Sequence, residues 1–146
     1  MEFENFLLLR SPPEGLPPSV TSVLKRRVFD IQWRLAQRVP LSFRIKLWLV
    51  PGKDMLCIVN LEADRSVNQA CTSSEEAIES GVSLTVIDGH HRLIVGLAPD
   101  GTRGVSVLTD GELSTARVIR GVFAIQDSSV NPPDSVSLLG YGSPRN

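Results

Sequence analysis

The densest group of side chains with chemical potential is Asp88-Gly89-His90-His91. Histidine titrates near neutrality and can serve as acid, base or metal ligand. An imidazole with an acidic partner suits hydrolysis, which makes Asp88, His90 and His91 candidates for a hydrolase centre. Two features argue against that use. Asp-Gly between apolar runs is a hairpin signal, and adjacent strand residues project to opposite faces, so His90 and His91 are poorly placed to hold one metal. The preferred reading is an exposed hairpin tip, with no residue assigned as catalytic. The sequence contains no Gly-x-Ser-x-Gly elbow, P-loop, Gly-x-Gly-x-x-Gly or His-Glu-x-x-His motif.

The two cysteines form a second group. Cys57 lies in an apolar run and Cys71 follows a polar stretch. A bridge between them and a pair of buried thiols are both open at this point. Structural zinc needs four ligands, and the only other soft ligands are the adjacent histidines, so no metal is expected. The third group is basic: Lys25, Arg26, Arg27, Arg34 and Arg38 lie off an apolar helical stripe. They are candidate interaction residues for a protein partner. Such a set could also meet phosphates or anionic lipid, but it more often forms a solvated face; aromatic residues make up only 5% of the chain and no strand carries a base-stacking platform. Nucleic acid is not an expected partner. Trp33 and Trp48 read as packing residues.

These groups depend on the elements around them. Pro-rich residues 11–18 connect a short expected strand, Phe3–Leu9, to a helix. Ser19 reads as its N-cap. Val20, Leu24, Val28, Ile31, Leu35 and Val39 recur at three or four residues, which predicts one long helix over 19–39, ended by Pro40. From Ser42 the period becomes two, and Phe43, Ile45, Leu47 and Leu49 alternate with polar residues or Trp48. A turn at Pro51-Gly52-Lys53-Asp54 leads to a second strand, Met55–Asn60. Residues 62–72 read as a polar loop. Ser73 or Ser74 caps a short helix through Glu75–Ile78, with Gly81 as its stop. Short strands then follow between X-Gly turns: Val82–Ile87, Arg92–Leu97, Val105–Leu108, Arg117–Arg120, Val122–Ile125 and Ser135–Leu139. Pro99-Asp100-Gly101 and Asp110-Gly111 mark turns, and Gly121 reads as a bulge.

The 146 residues suit a single domain able to bury its own core. The chain is 42% hydrophobic and 21% charged, which excludes general disorder. The net charge of -1 gives no global attraction to nucleic acid or membrane. The charges are divided, however. Residues 1–53 carry nine basic and four acidic side chains, whereas residues 54–146 carry six and twelve. No stretch approaches the ~20 apolar residues of a membrane span. Phe6-Leu7-Leu8-Leu9 lacks the basic start and the length of a signal peptide. A cytoplasmic protein and a region of a longer chain both fit.

The order of several short segments is similar to a loosely defined group of uncharacterised actinobacterial domains. These segments are LPPSV at 16–20, Ala36-x-Arg38-Val39, LWLVPG at 47–52, Leu56-Cys57, Cys71, a helix ending at Gly81, VGLAPDG at 95–101, Val105-Ser106-Val107 and Gly121-Val122-Phe123. Domains of that group often follow a membrane helix and face outside the cytoplasm. The resemblance implies an extracytoplasmic setting, in which a Cys57–Cys71 disulfide is favoured. It implies no activity.

The expected fold is α+β, an antiparallel sheet of about five to seven strands carrying one long N-terminal helix and a short second helix. One domain spans 1–146, with 1–18 an extended lead-in and 140–146 a flexible tail. The expected function is a non-enzymatic extracytoplasmic binding or structural module without cofactor. Its partner would be another protein or a cell-envelope component. The alternatives are the hydrolase and a regulatory protein-interaction domain acting through the basic helix.

Overall fold

The computed structural model describes residues 6, 9, 12, 14–28, 30–41, 45–88, 91–127 and 133–140. Among them, ten strands form three antiparallel sheets. The first sheet has the order β1 (Gln37–Arg38), β2 (Lys46–Gly52), β3 (Met55–Leu61) and β4 (Val67–Ser73). The second joins β5 (Val82–Asp88), β6 (His91–Leu97) and β9 (Val122–Asp127). The third joins β10 (Ser135–Gly140), β7 (Thr102–Thr109) and β8 (Glu112–Arg117). Helix α1 spans Pro18–Arg27 and α2 spans Ser74–Ser80. The α+β class holds, with three sheets and ten strands in place of the expected five to seven.

The elements stack in layers, and the side-chain period explains why. Leu47 and Leu49 of β2 and Leu56 and Ile58 of β3 pack against Val82, Val86, Val95 and Leu97 of the second sheet. The alternate residues Trp48, Val50, Cys57 and Val59 pack against Val20 and Leu24 of α1. The first sheet is therefore covered on both faces, which is why six of the seven residues of β2 are buried. The second sheet uses its other face, with Ile94, Phe123 and Ile125, to meet Val105 and Val107 of the third.

The expected 19–39 helix is corrected to ten residues. Val28 is already extended, at φ -129° and ψ 129°, and Asp30 adopts φ +59°. Tertiary pairing takes over there. Gln32 N–H donates to Pro51 O at 2.8 Å, Lys53 N–H donates to Asp30 O at 3.0 Å, and Ile31 bridges Gly52. The chain then makes a 3-10 turn at Trp33–Leu35 and enters β1. Those sheet bonds outweigh a helix continuation whose apolar period is real but whose β-branched residues favour strands. Ser19 is not the N-cap either. Pro17 occupies the cap and Pro18 opens the helix, using the first position where a missing N–H costs nothing.

Residues 62–72 are also corrected. Only their first part is a loop, and Val67–Ser73 forms β4 in full register with β3. Gly121 lies in a tight turn rather than a bulge. Arg120 and Gly121 have φ +55° and +80°, and Ile119 and Val122 exchange both backbone bonds. Asp110-Gly111 turns the β7–β8 hairpin as expected, with φ +51° and +81°. The short helix also follows expectation. Ser73 Oγ accepts from Glu76 N–H at 3.2 Å, and Gly81 ends the helix at φ +73°. The strand expected over Phe3–Leu9 falls on residues of which only Phe6 and Leu9 are described. Leu9 N–H donates to Phe6 O at 3.0 Å. The tail from 141 lies outside the described residues.

Candidate functional site

The two cysteines face each other across β3 and β4 and form a disulfide, with Cα atoms 4.0 Å apart. So close an approach marks a non-hydrogen-bonded pair of the ladder. Residues alternate along β4, so Val67, Gln69 and Cys71 turn their backbone N–H and C=O away from β3. Since β4 ends its sheet among the described residues, those groups line an edge that no described strand pairs. Cys57 is fully buried, whereas Cys71 is exposed on that edge.

Beside this edge lies an open groove of about 740 Å³. One wall is β4, through Val67, Asn68 and Gln69; the other is β5, through Ser83, Leu84 and Thr85. Both strands are the edges of their sheets. The groove exists because the first two sheets pack face to face without merging at this side. Ile87 stands at the groove with 62% of its surface exposed, an aliphatic side chain without full cover. Arg27, Arg92 and Glu62 supply the charges.

Arg27 is the best-defined polar group here. It occupies the last turn of α1, where cations complement the helix dipole. Its Nη1 donates to Val67 O at 2.6 Å and to Gln69 Oε1 at 2.9 Å. The first bond confirms that the Val67 carbonyl faces outward. Both acceptors are neutral, so the guanidinium charge meets no carboxylate through these bonds. The groove is also bounded by the β3–β4 turn. There the Ser66 hydroxyl lies 2.5 Å from Asp64 Oδ1, and the Ser66 N–H donates to the same oxygen at 2.9 Å. These bonds, the side-chain one foremost, hold the Asp64 carboxyl below its ordinary value. Ser66 Oγ is also 2.8 Å from Glu62 Oε2.

The other basic residues are largely engaged within the fold. Lys25 Nζ and Arg34 Cζ each lie 4.7 Å from the centre of the Trp33 ring. Arg38 stacks on Trp48 at 5.2 Å, across the β1–β2 pairing. Arg26 Nε donates to Ser22 O one turn back. Of the five residues, Arg27 is the one that lines the groove.

Asp88 and His91 are the closing pair of the β5–β6 hairpin. Gly89 and His90 lie outside the described residues. Among the described residues, no three His, Cys, Asp or Glu side chains gather as a metal site, and no helix is long and apolar enough to cross a membrane. The sequence does not reveal the groove, because its β4 wall reads as loop. One signal was present. Cys57 and Cys71 are equidistant from Asp64, so a bridge between them implies a hairpin turning at Asp64. No protein-family model matches the chain, and no curated protein or solved structure matches it either.

Proposed function

We propose that this chain is a non-enzymatic, extracytoplasmic binding module that takes its ligand in the groove between β4 and β5. The observation that carries this reading is the groove itself: among the described residues, the edge strands of two sheets, an exposed Ile87 and a guanidinium whose bonds go to neutral acceptors meet around one cavity. Ligand sites favour such concave surfaces with a few placed polar groups. The disulfide supports an oxidising compartment. The resemblance to actinobacterial extracytoplasmic domains supports the same setting.

Protein-observed NMR with a library of small fragments tests the site. Amide shifts should concentrate on residues 67–69 and 83–87, and Ile87→Trp, which fills the groove from an exposed position, should abolish them. His90→Ala and His91→Ala should leave them intact. Hits scattered over the surface, or unaffected by Ile87→Trp, would contradict the reading. A cluster centred on His90 and His91 would favour the hydrolase instead. The compartment is checked separately by alkylating unreduced protein from its own host, where two reactive thiols would rule out the disulfide setting.

A further inference from the structure

Resting on the groove reading, we infer that the ligand is an extended peptide segment bearing a carboxylate, added as a fifth strand along the outer edge of β4. The backbone sets the geometry. Gln69 presents an N–H and a C=O to the groove side, and among the described residues the one bond made to this outward row is Arg27 Nη1 to Val67 O. Outward residues repeat about every 6.6 Å along a strand, so a peptide of about five residues would span Val67 to Cys71. Main-chain bonds would provide affinity, and alternate side chains would enter the groove. Val67, Leu84 and Ile87 offer apolar contact there, while Asn68, Ser83 and Thr85 offer polar contact.

Charge complementarity identifies the acidic group. Arg27 spends one nitrogen, Nη1, on two neutral acceptors. A guanidinium has five N–H donors in a planar fork that matches a carboxylate. A peptide carboxylate beside Val67 would meet Nη2 or Nε of Arg27 while its backbone pairs with Gln69. Glu62 sits at the turn end of the same groove and disfavours a second acidic residue there.

The test uses the oxidised full chain and an end-capped seven-residue peptide that alternates Thr and Val around a central Glu. Binding is read by fluorescence anisotropy, and its location by amide shifts. Three changes should each weaken binding by about tenfold or more, the scale of one charge-assisted bond or a pair of backbone bonds. These are N-methylation of alternate peptide amides, Gln in place of the peptide Glu, and Arg27→Met. With Arg27→Met the Glu and Gln peptides should bind equally, while Arg26→Met on the same helix should keep their difference. The peptide-side changes leave the protein untouched, so they decide the matter even if Arg27→Met loosens β4. N-methylated peptide binding within about twofold of the parent would overturn strand addition. Equal binding of the Glu and Gln peptides to the unaltered chain would overturn the acidic preference. No peptide binding, with fragments still collecting in the groove, would overturn this inference and leave the groove reading standing. Absence of both would remove both.

Discussion

Reducing the Cys57–Cys71 bridge should destabilise the chain by about 3 kcal/mol, the chain-entropy value for a closed loop of about 15 residues. The two residues are register partners within a continuous seven-pair ladder, so the bridge ties positions that the sheet already brings together. Its main effect is then on the unfolded chain. The assay is urea unfolding with and without reductant. With a slope of about 1.5–3 kcal/mol per molar, the midpoint should fall by about 1–2 M. At this chain length the melting temperature should fall by about 6–12 °C. The paired variant Cys57→Ala with Cys71→Ser should lose somewhat more, because Cys57 is fully buried and Ala leaves a small cavity. A loss below about 1 kcal/mol would refute the reasoning, since it would mean that the unfolded chain already holds 57–71 as a hairpin.

Two glycines should respond differently to alanine. At Gly96 an added Cβ would lie 2.4 Å from Val82 O and 2.7 Å from Phe123 Cζ, both packed parts of the core, so Gly96→Ala should cost about 2–4 kcal/mol in urea unfolding. At Gly111 nothing lies within 4 Å and only the φ of +81° is unfavourable, so Gly111→Ala should cost about 1–2 kcal/mol; equal losses at the two sites would contradict this. Asp64 should titrate below the ordinary aspartate value of 3.8. A depressed folded-state value means that its contribution to the 62–66 turn is present above 3.8 and is lost as pH falls through the lower value. The Ser66 amide shift followed by NMR should report that midpoint, and a midpoint at or above 3.8 would show that the hydrogen bonds to Asp64 do not form.

Local chemistry made several elements readable in advance. Asp110-Gly111 needs two positive φ angles, and those residues tolerate them. Ser73, Glu76 and Gly81 start and stop α2 through bonds within a few residues. Most strands from Val82 onward show in their apolar runs, although their assignment to two sheets does not; β8 is the exception, because Glu112–Arg117 is mostly exposed and has no apolar run, and the strand expected at Arg117–Arg120 is not there. The elements misread are those decided by distant partners. Val28 to Val39 keeps a helical period, yet bonds with Pro51 and Lys53 pull it into a turn and a strand. Residues 67–73 have no clear period because β4 is an edge with only Val67 buried.

The cysteine pair shows where that division falls. Residue types and order alone limited Cys57 and Cys71 to a bridge or two thiols, and excluded a zinc site for want of ligands. Their direct opposition, and with it the strand that carries Cys71, came from tertiary pairing. The same holds for Arg27. Its charge and helix position were visible along the chain, but its bond to an outward carbonyl 40 residues away was not. The groove joins edges of two sheets whose walls are separated by α2, and the spacing between sheets is set by the packing of Leu56 and Ile58 on Val82 and Val86. Turns and caps depend on neighbours in sequence and were fixed locally. A cavity between layers depends on the whole core, so only the folded chain could define it.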